Sequence, residues 1–534
     1  MTSHDHLDRP THLGDVPETA VVDPRLQRQI LIAVCIALTA VMASVSGLNV
    51  ALQQLSADLG ASQTDLLWVV NGYTIALAAL LLPLGAVGDR WGRKHVLVSG
   101  LVLFIAANLG GAMASSTGML IGWRVLAGVA AAMIMPATLS VITSSFPAEQ
   151  RGRAIGVWSG FAGGGGILGL LLSAFLIDRV TWPWLFVAPC VLAAVSLVWS
   201  LKVVPHSKEH HDWAFDTVGA VLSAVMLGSL VLGIHQGPES GWTAPLTLLG
   251  LGAGVAATAG FVWWELRHAH PLIDLRVFRS RPLAASTVTL TFTFAVLMAL
   301  FLVLIQFLQA VLGWTAMHAA LGLLPMILLM MPMSAVAPKI AERVGLRVML
   351  VTGGLLMTAG LASMALLGSI SGGYLSVLPG LVLFSLGTGV AMSPGTTAIT
   401  GSLPEESQGV ASALNDTVRE FGGALGIALI GSALSSAYSS NVAPATVGLP
   451  HEAASAIKAG IGGALVVAPH LGAAGPAIVA AARTAFVDGW RVAIWISAGV
   501  VLAASVFAFV WTPPHVRTEP VEGLEIDDMV PAEV

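Results

Sequence analysis

Fourteen apolar stretches follow one another along this chain, and their lengths limit what it can become. They lie at about 29–51, 66–87, 95–115, 118–142, 153–177, 183–201, 217–235, 244–264, 283–311, 318–337, 346–368, 374–399, 408–436 and 489–511. About 20 apolar residues cross a bilayer as a helix, which pairs its own backbone groups where no water can. Charged residues are only 10% of the 534 and hydrophobic ones 56%, whereas soluble domains run near 25% charged. The expectation is an all-α polytopic membrane protein with 14 transmembrane helices.

Basic residues orient such a protein, because loops rich in Lys and Arg stay in the cytoplasm. An even number of spans puts both termini on one side. With that side cytoplasmic, 18 of the 24 basic residues fall inside, and only Arg179, Lys458, Arg483 and Arg491 fall outside. The remaining two, Arg124 and Arg419, lie within spans. The two cysteines, Cys35 and Cys190, both sit in apolar stretches, which argues against a disulfide framework or thiolate metal site. Residues 1–28 are polar, hold three prolines and lack the apolar core of a signal peptide, so a disordered cytoplasmic tail is expected. His4, His6 and His12 are too loosely spaced to favour a metal site there.

Between the second and third spans runs Gly85-Ala-Val-Gly-Asp89-Arg90-Trp-Gly92-Arg93-Lys94. Asp89 can accept from the arginines or from helix-end amides, and Arg90, Arg93 and Lys94 can hold lipid phosphates or helix ends. An ordinary positively charged inside loop is the plain alternative. The order Gly-x-x-x-Asp-Arg-x-Gly-Arg-Lys, however, resembles the signature loop of the major facilitator superfamily of secondary transporters. That resemblance implies a latch, made by Gly85, Asp89, Arg90, Gly92, Arg93 and Lys94, which holds the two halves of the transporter outward-open.

The loop has an internal echo, Glu342-Arg343-Val344-Gly345 with Arg347 matching Lys94, between the tenth and eleventh spans. Two parallel six-helix repeats would leave such a trace. The expected organisation is a tail at 1–28, a six-helix bundle at 29–201 and a linker with two extra helices at 202–264. A second six-helix bundle at 265–511 and an acidic cytoplasmic tail at 512–534 follow. Within the second bundle, 438–488 is a long extracytoplasmic segment, either a lid or a helical hairpin resting on the bundle. On the resemblance, 14 helices rather than 12 point to the drug:proton antiporter branch.

Ionisable groups inside a bilayer are costly, at about 2.5–3.5 kcal/mol each on insertion scales, so each is a functional candidate. Arg124, in the fourth span, resembles the family's fourth-helix arginine, which faces the cavity and is linked to proton transfer. The competing reading is a structural arginine bonded to backbone carbonyls. In the thirteenth span, Asp416 and Glu420 are four apart and share a helix face, with Arg419 beside them. Glu420 lies about a dozen residues from the basic end, roughly 18 Å at 1.5 Å per residue, near the midplane. It is suited to proton exchange or to attracting a cationic drug. Asp416, nearer the end, could instead cap its helix or pair with the signature loop.

Two departures from the family pattern stand out. The fifth span has Gly169-Leu170-Leu171-Leu172-Ser173-Ala174 where family antiporters carry Gly-Pro-x-x-Gly-Gly, with the run Gly163–Gly166 just before it. The first span has no Asp ahead of Asn49-Val-Ala-Leu, which leaves more of the task to the thirteenth. Asn49, Trp68, Asn71, Tyr73, Trp158, Gln306 and Gln309 are candidate cavity residues, though single aromatics in spans more often serve packing. His235, near the outer end of the seventh span, is expected to be interfacial.

The sequence holds no metal-ligand cluster, nucleophile–base pair or GxxxxGK[ST] loop, so an enzyme or an ATP-driven pump is not supported and no cofactor is expected. The expected function is export of amphipathic drugs or antibiotics by proton antiport and alternating access. The expected partners are the substrate, protons and membrane lipids, with no nucleic acid, and the chain is expected to work as a monomer. The setting is the cytoplasmic membrane of a bacterium. A facilitator or importer on the same fold, or a membrane sensor that does not transport, are the alternatives.

Overall fold

The computed structural model describes residues 21, 23–48, 52–177, 179, 181–206 and 214–514. Among them, 14 helices are long and apolar enough to cross a membrane. They are α1 (Pro24–Gly47), α2 (Gln63–Trp91), α3 (Arg93–Ala112), α4 (Thr117–Ser145), α5 (Ala148–Ile177) and α6 (Trp184–Val203) in the first half. Next come α7 (Thr217–Ser240) and α8 (Pro245–Glu265), then α9 (Arg281–Gln306), α10 (Leu324–Val344), α11 (Leu346–Leu367), α12 (Leu378–Thr400), α13 (Gln408–Val442) and α14 (Gly475–Trp511).

Several helices outrun their apolar stretches because polar caps satisfy their ends. The first helix starts at Pro24, not at residue 29: Asp23 accepts from the Arg25 amide at 2.8 Å and Pro24 sits at the first position. Arg25, Gln27 and Arg28 are thus helical although polar, which moves the boundary drawn at residue 28. In α2, Ser62 and Asp65 form a reciprocal capping box. Both α2 and α10 end at a glycine with positive φ, Gly92 at 105° and Gly345 at 86°. In each the glycine amide closes the last turn, onto Gly88 at 3.0 Å and Ala341 at 2.8 Å. The sequence echo is therefore a geometric one.

The two halves share one packing scheme. In the first, α1 packs on α5 and α6, α2 on α4, and α3 on α4 and α6. In the second, α9 packs on α13 and α14, α10 on α12, and α11 on α12 and α14, the same pairs shifted by eight. Each half has its own apolar core, one around Leu38, Tyr73, Phe104 and Trp158, the other around Phe307, Phe384, Phe486 and Trp490. The halves meet along two seams, α2 with α13 and α5 with α10. The inserted pair α7–α8 lies against the first seam, with α7 touching both α2 and α13. At the base of this pair, Asp216 accepts from the Gly219 amide, the Trp264 indole and the Leu272 amide at 2.8, 2.9 and 3.2 Å, fixing the connection to α9.

The segment between α13 and α14 is helical and compact. Helices His451–Ala459 and Ile461–Val467 are separated by Gly460. Ile457, Ile461 and Ala464 are buried in the second core, and the Tyr438 hydroxyl donates to the Ile457 carbonyl at 3.0 Å.

Candidate functional site

The signature loop closes one end of the molecule, the end where the basic residues gather. Asp89, only 4% exposed, accepts from the Gly409 amide at 2.7 Å with one oxygen and from the Val410 amide at 3.0 Å with the other. These are two of the amides that a helix leaves unpaired at its start, and α13 supplies no side-chain cap of its own. A carboxylate there also meets the positive end of the helix dipole. Thus a residue of the first half caps a helix of the second. Arg93 steadies Asp89 through an ion pair at 3.3 Å and donates to the Glu405 carbonyl at 2.9 Å. Glu405 in turn pairs with Arg151 of α5 at 3.3 Å.

Gly85 is needed for this approach. A Cβ there would lie 2.6 Å from the Gly409 carbonyl oxygen, so the α2 and α13 backbones nearly touch. Gly92 supplies the turn after α2. Lys94 reaches elsewhere, donating to the Leu201 carbonyl in the last turn of α6 at 3.0 Å, and Arg90 ends α2 half-buried. The echo loop makes no matching cap: Glu342 and Arg343 are exposed, and Arg347 lies over the Phe509 ring at 4.1 Å.

Two turns into α13 lies the buried ionisable cluster. Asp416 is fully buried and paired with Arg419 at 3.3 Å, and Asn415 donates to the same carboxylate at 3.4 Å. The Arg419 guanidinium lies 4.6 Å from the Phe294 ring of α9 and 5.2 Å from the Trp158 ring of α5, so it bridges the halves. Trp158 is held by an indole bond to the Thr138 hydroxyl at 3.0 Å. One Asp416 oxygen and the Arg419 Nε have no hydrogen-bond partner among the described residues. Asp416 therefore neither caps α13 nor meets the signature loop, because Asp89 already occupies the helix start. Glu420, half-buried one turn on, interacts electrostatically with Tyr73 of α2 and with Arg419.

Tyr73 leads to Arg124, whose guanidinium sits 4.3 Å from its ring. Arg124 donates to the Val69 carbonyl at 3.1 Å, the Ser44 carbonyl at 3.3 Å and the Ser44 hydroxyl at 3.0 Å. Its partners are carbonyls and a hydroxyl, and it ties α4 to α1 and α2. Ser44 continues to Asn108 of α3 at 3.4 Å.

The other cavity candidates scatter. Asn71 faces α7, where it contacts His235 at 2.9 Å and Glu239 at 3.2 Å. Trp68 and Gln306 are half-buried. Gln309 is exposed on a single π-turn, Phe307–Val311, that follows α9. Asn49 lies outside the described residues. The glycine run of α5 does not interrupt its helix; it serves contact on two sides. Within the run, a Cβ on Gly163 would meet Met330 of α10 at 2.9 Å and one on Gly165 would meet Met42 of α1 at 3.0 Å; two turns earlier, one on Gly156 would meet the Ser334 carbonyl oxygen of α10 at 2.5 Å.

Sequence reasoning missed Gly409, Val410, Glu405, Phe294, Ser44 and Glu239. Only Glu239 carried a local signal, as a charge one turn from His235 at a span end; the others gain meaning from a partner distant in the chain.

Comparison with known proteins agrees with this architecture. The Major Facilitator Superfamily profile matches residues 34–427. The chain is 32% identical over 457 residues to the multidrug efflux pump LfrA of Mycolicibacterium smegmatis, covering 85% of this chain and 90% of that one. It is 29% identical over 520 residues to the multidrug resistance protein Stp of Mycobacterium tuberculosis, covering 95% of both. The proton:xylose symporter XylE superposes with a TM-score of 0.58 at 14% identity, covering 92% of this chain and 96% of that one, which is a likeness of fold. The shared packing scheme of the halves, the capped seam and the profile together make this chain a member of the major facilitator superfamily.

Proposed function

We propose that this protein exports amphipathic drugs or antibiotics across the bacterial cytoplasmic membrane by proton antiport and alternating access. The basic, latched end is the cytoplasmic one, with both termini there, in keeping with the excess of Lys and Arg on that side. The observation that carries the reading is that one helix, α13, holds both the latch receptor and the buried carboxylates. Its first turn is capped by Asp89, and Asp416, Arg419 and Glu420 follow within three turns.

Proton uptake at Asp416 removes the charge that faces Arg419, and the guanidinium then has only Glu420 and the two rings around it. Such a change in a buried pair shifts α13, and a shift of its first turn loosens Asp89. Protonation is thereby linked to which end of the cavity is closed. Relatives named for multidrug efflux support drugs as the cargo. Each chain contains both halves, so a monomer suffices.

The test uses everted vesicles with an acidified interior. The pH gradient is followed as lipophilic cations and neutral antibiotics are added, for the native protein and Glu420→Gln. Substrates should dissipate the gradient with the native protein and leave it unchanged with Glu420→Gln. Substrate movement with an untouched gradient would instead establish a facilitator, the alternative that the missing proline of the fifth span and the missing aspartate of the first favour.

A further inference from the structure

The proposed function assigns nothing to the inserted helix α7, yet α7 carries a polar cluster against the α2–α13 seam. His235 Nδ1 lies 2.9 Å from Asn71 Oδ1, and Asn71 Nδ2 donates to Glu239 Oε1 at 3.2 Å. The order of these bonds fixes the imidazole. A carboxylate accepts from the Asn71 amide nitrogen, so the amide oxygen faces His235, and an oxygen acceptor requires a proton on Nδ1. The neutral ring therefore leaves the Nε2 lone pair free for a second proton.

The cluster is also well placed. His235 is five residues from the outer end of α7, about 8 Å along the axis. Beside it, Val231 and Ile234 pack on Ala424 and Ala428 of α13 and on Ala78 of α2. Glu420 is one turn from Ala424 on the same face of α13. On the helices packed against α7, the ionisable groups from the midplane outward are few. On α2 they are Tyr73 and, nearer the outside, Asp65, which is bound to Ser62; on α13 they are Arg419 and Glu420. Between Pro245 and Trp264, α8 has none, and α7 itself adds only Glu239. No fixed positive charge faces His235 from α2, α8 or α7, and Glu239 adds a negative one.

We propose that His235 is an extracytoplasmic proton-binding site that feeds the α13 carboxylates, with Asn71 and Glu239 as its positioning residues. A hydronium ion outside gives its proton to Nε2, forming imidazolium and water. The imidazolium then returns that proton through water in the opened seam to Glu420. This rests on the proton-antiport reading, so the experiment must separate the two.

Ethidium export is measured in right-side-out vesicles as external pH is varied from about 4 to 8.5, with membrane insertion and thermal stability recorded for each variant. The native rate should fall in one step as external pH rises and His235 loses its proton. His235→Gln keeps a donor for Asn71 but cannot titrate; it should lose the step and run at least fivefold slower at the acid end, where the native imidazole carries the proton. Asn71→Leu keeps the imidazole but removes its anchor, and should move the midpoint of the step without abolishing it. A native-like step in His235→Gln overturns the proposal, as does an equal loss at every pH in a properly inserted protein, which marks a structural anchor. An unmoved midpoint in Asn71→Leu also overturns it. Glu420→Gln tells the two readings apart: if it exports normally, proton antiport through α13 fails; if it is inactive while His235→Gln is native-like, only the entry site fails.

Discussion

Asp89 caps Gly409 across 320 residues of chain, and the 2.7 Å bond joins the two halves of the molecule at one end. Asn in its place keeps the size but has one acceptor oxygen instead of two, and its amide would face a backbone donor. Loss of a charged cap costs about 1–2 kcal/mol. In an Asp89→Asn protein, a cysteine introduced at Ala413, buried in the closed seam, should react about tenfold faster with an impermeant thiol reagent from the cytoplasmic side, and export should be abolished.

The close approach of Gly85 and Gly409 leaves no room for a methyl group. Gly85→Ala would place its Cβ against the Gly409 oxygen, and backbone cannot yield as a side chain can. Export should stop while the protein still inserts at normal levels, and the Ala413 cysteine should label as readily as it does with Asp89→Asn.

Arg419 lies against two aromatic rings and one carboxylate. Lysine preserves the charge but not the planar stacking on Phe294 and Trp158. Arg419→Lys should lower ethidium export by tenfold or more, and Trp158→Leu should lower it by a smaller factor. Equal, native rates in both would remove the stacked guanidinium from the mechanism.

The hairpin between α13 and α14 is secured by the Tyr438 hydroxyl. Tyr438→Phe removes one buried hydrogen bond, worth about 1 kcal/mol. Proteolysis from the extracytoplasmic side should cut within 443–474 several times faster, with export little changed.

Much of this architecture is legible in the sequence because lipid enforces it. Apolar length gives the 14 helices, and the glycine of each Asp/Glu-Arg-x-Gly turn marks where α2 and α10 stop. Helix ends are less legible. Arg25 and Gln27 at the start of α1, and the Ser- and Ala-rich end of α13, are helical through caps and packing, which hydropathy does not register. At the site, the charges on α13 and in the signature loop stand out because charge is rare in a span. Their partners do not: Gly409 becomes a receptor only once α2 lies beside it, and Phe294 is one aromatic among many. Asn71 was expected at the cavity, and its place beside His235 follows from where the inserted helices dock, which no periodicity encodes.

Gly92 and Gly345 turn the chain in the same way, yet only the first turn presents a carboxylate that reaches across. The second seam is held differently, by the glycine face of α5 lying on the α10 backbone. Duplication has left two halves alike in shape but not in duty. One seam is clasped by a charged bond that a single substitution would remove, and the other is a glycine face laid on bare backbone. Exchanging the halves would rebuild the outline of this protein and lose its clasp.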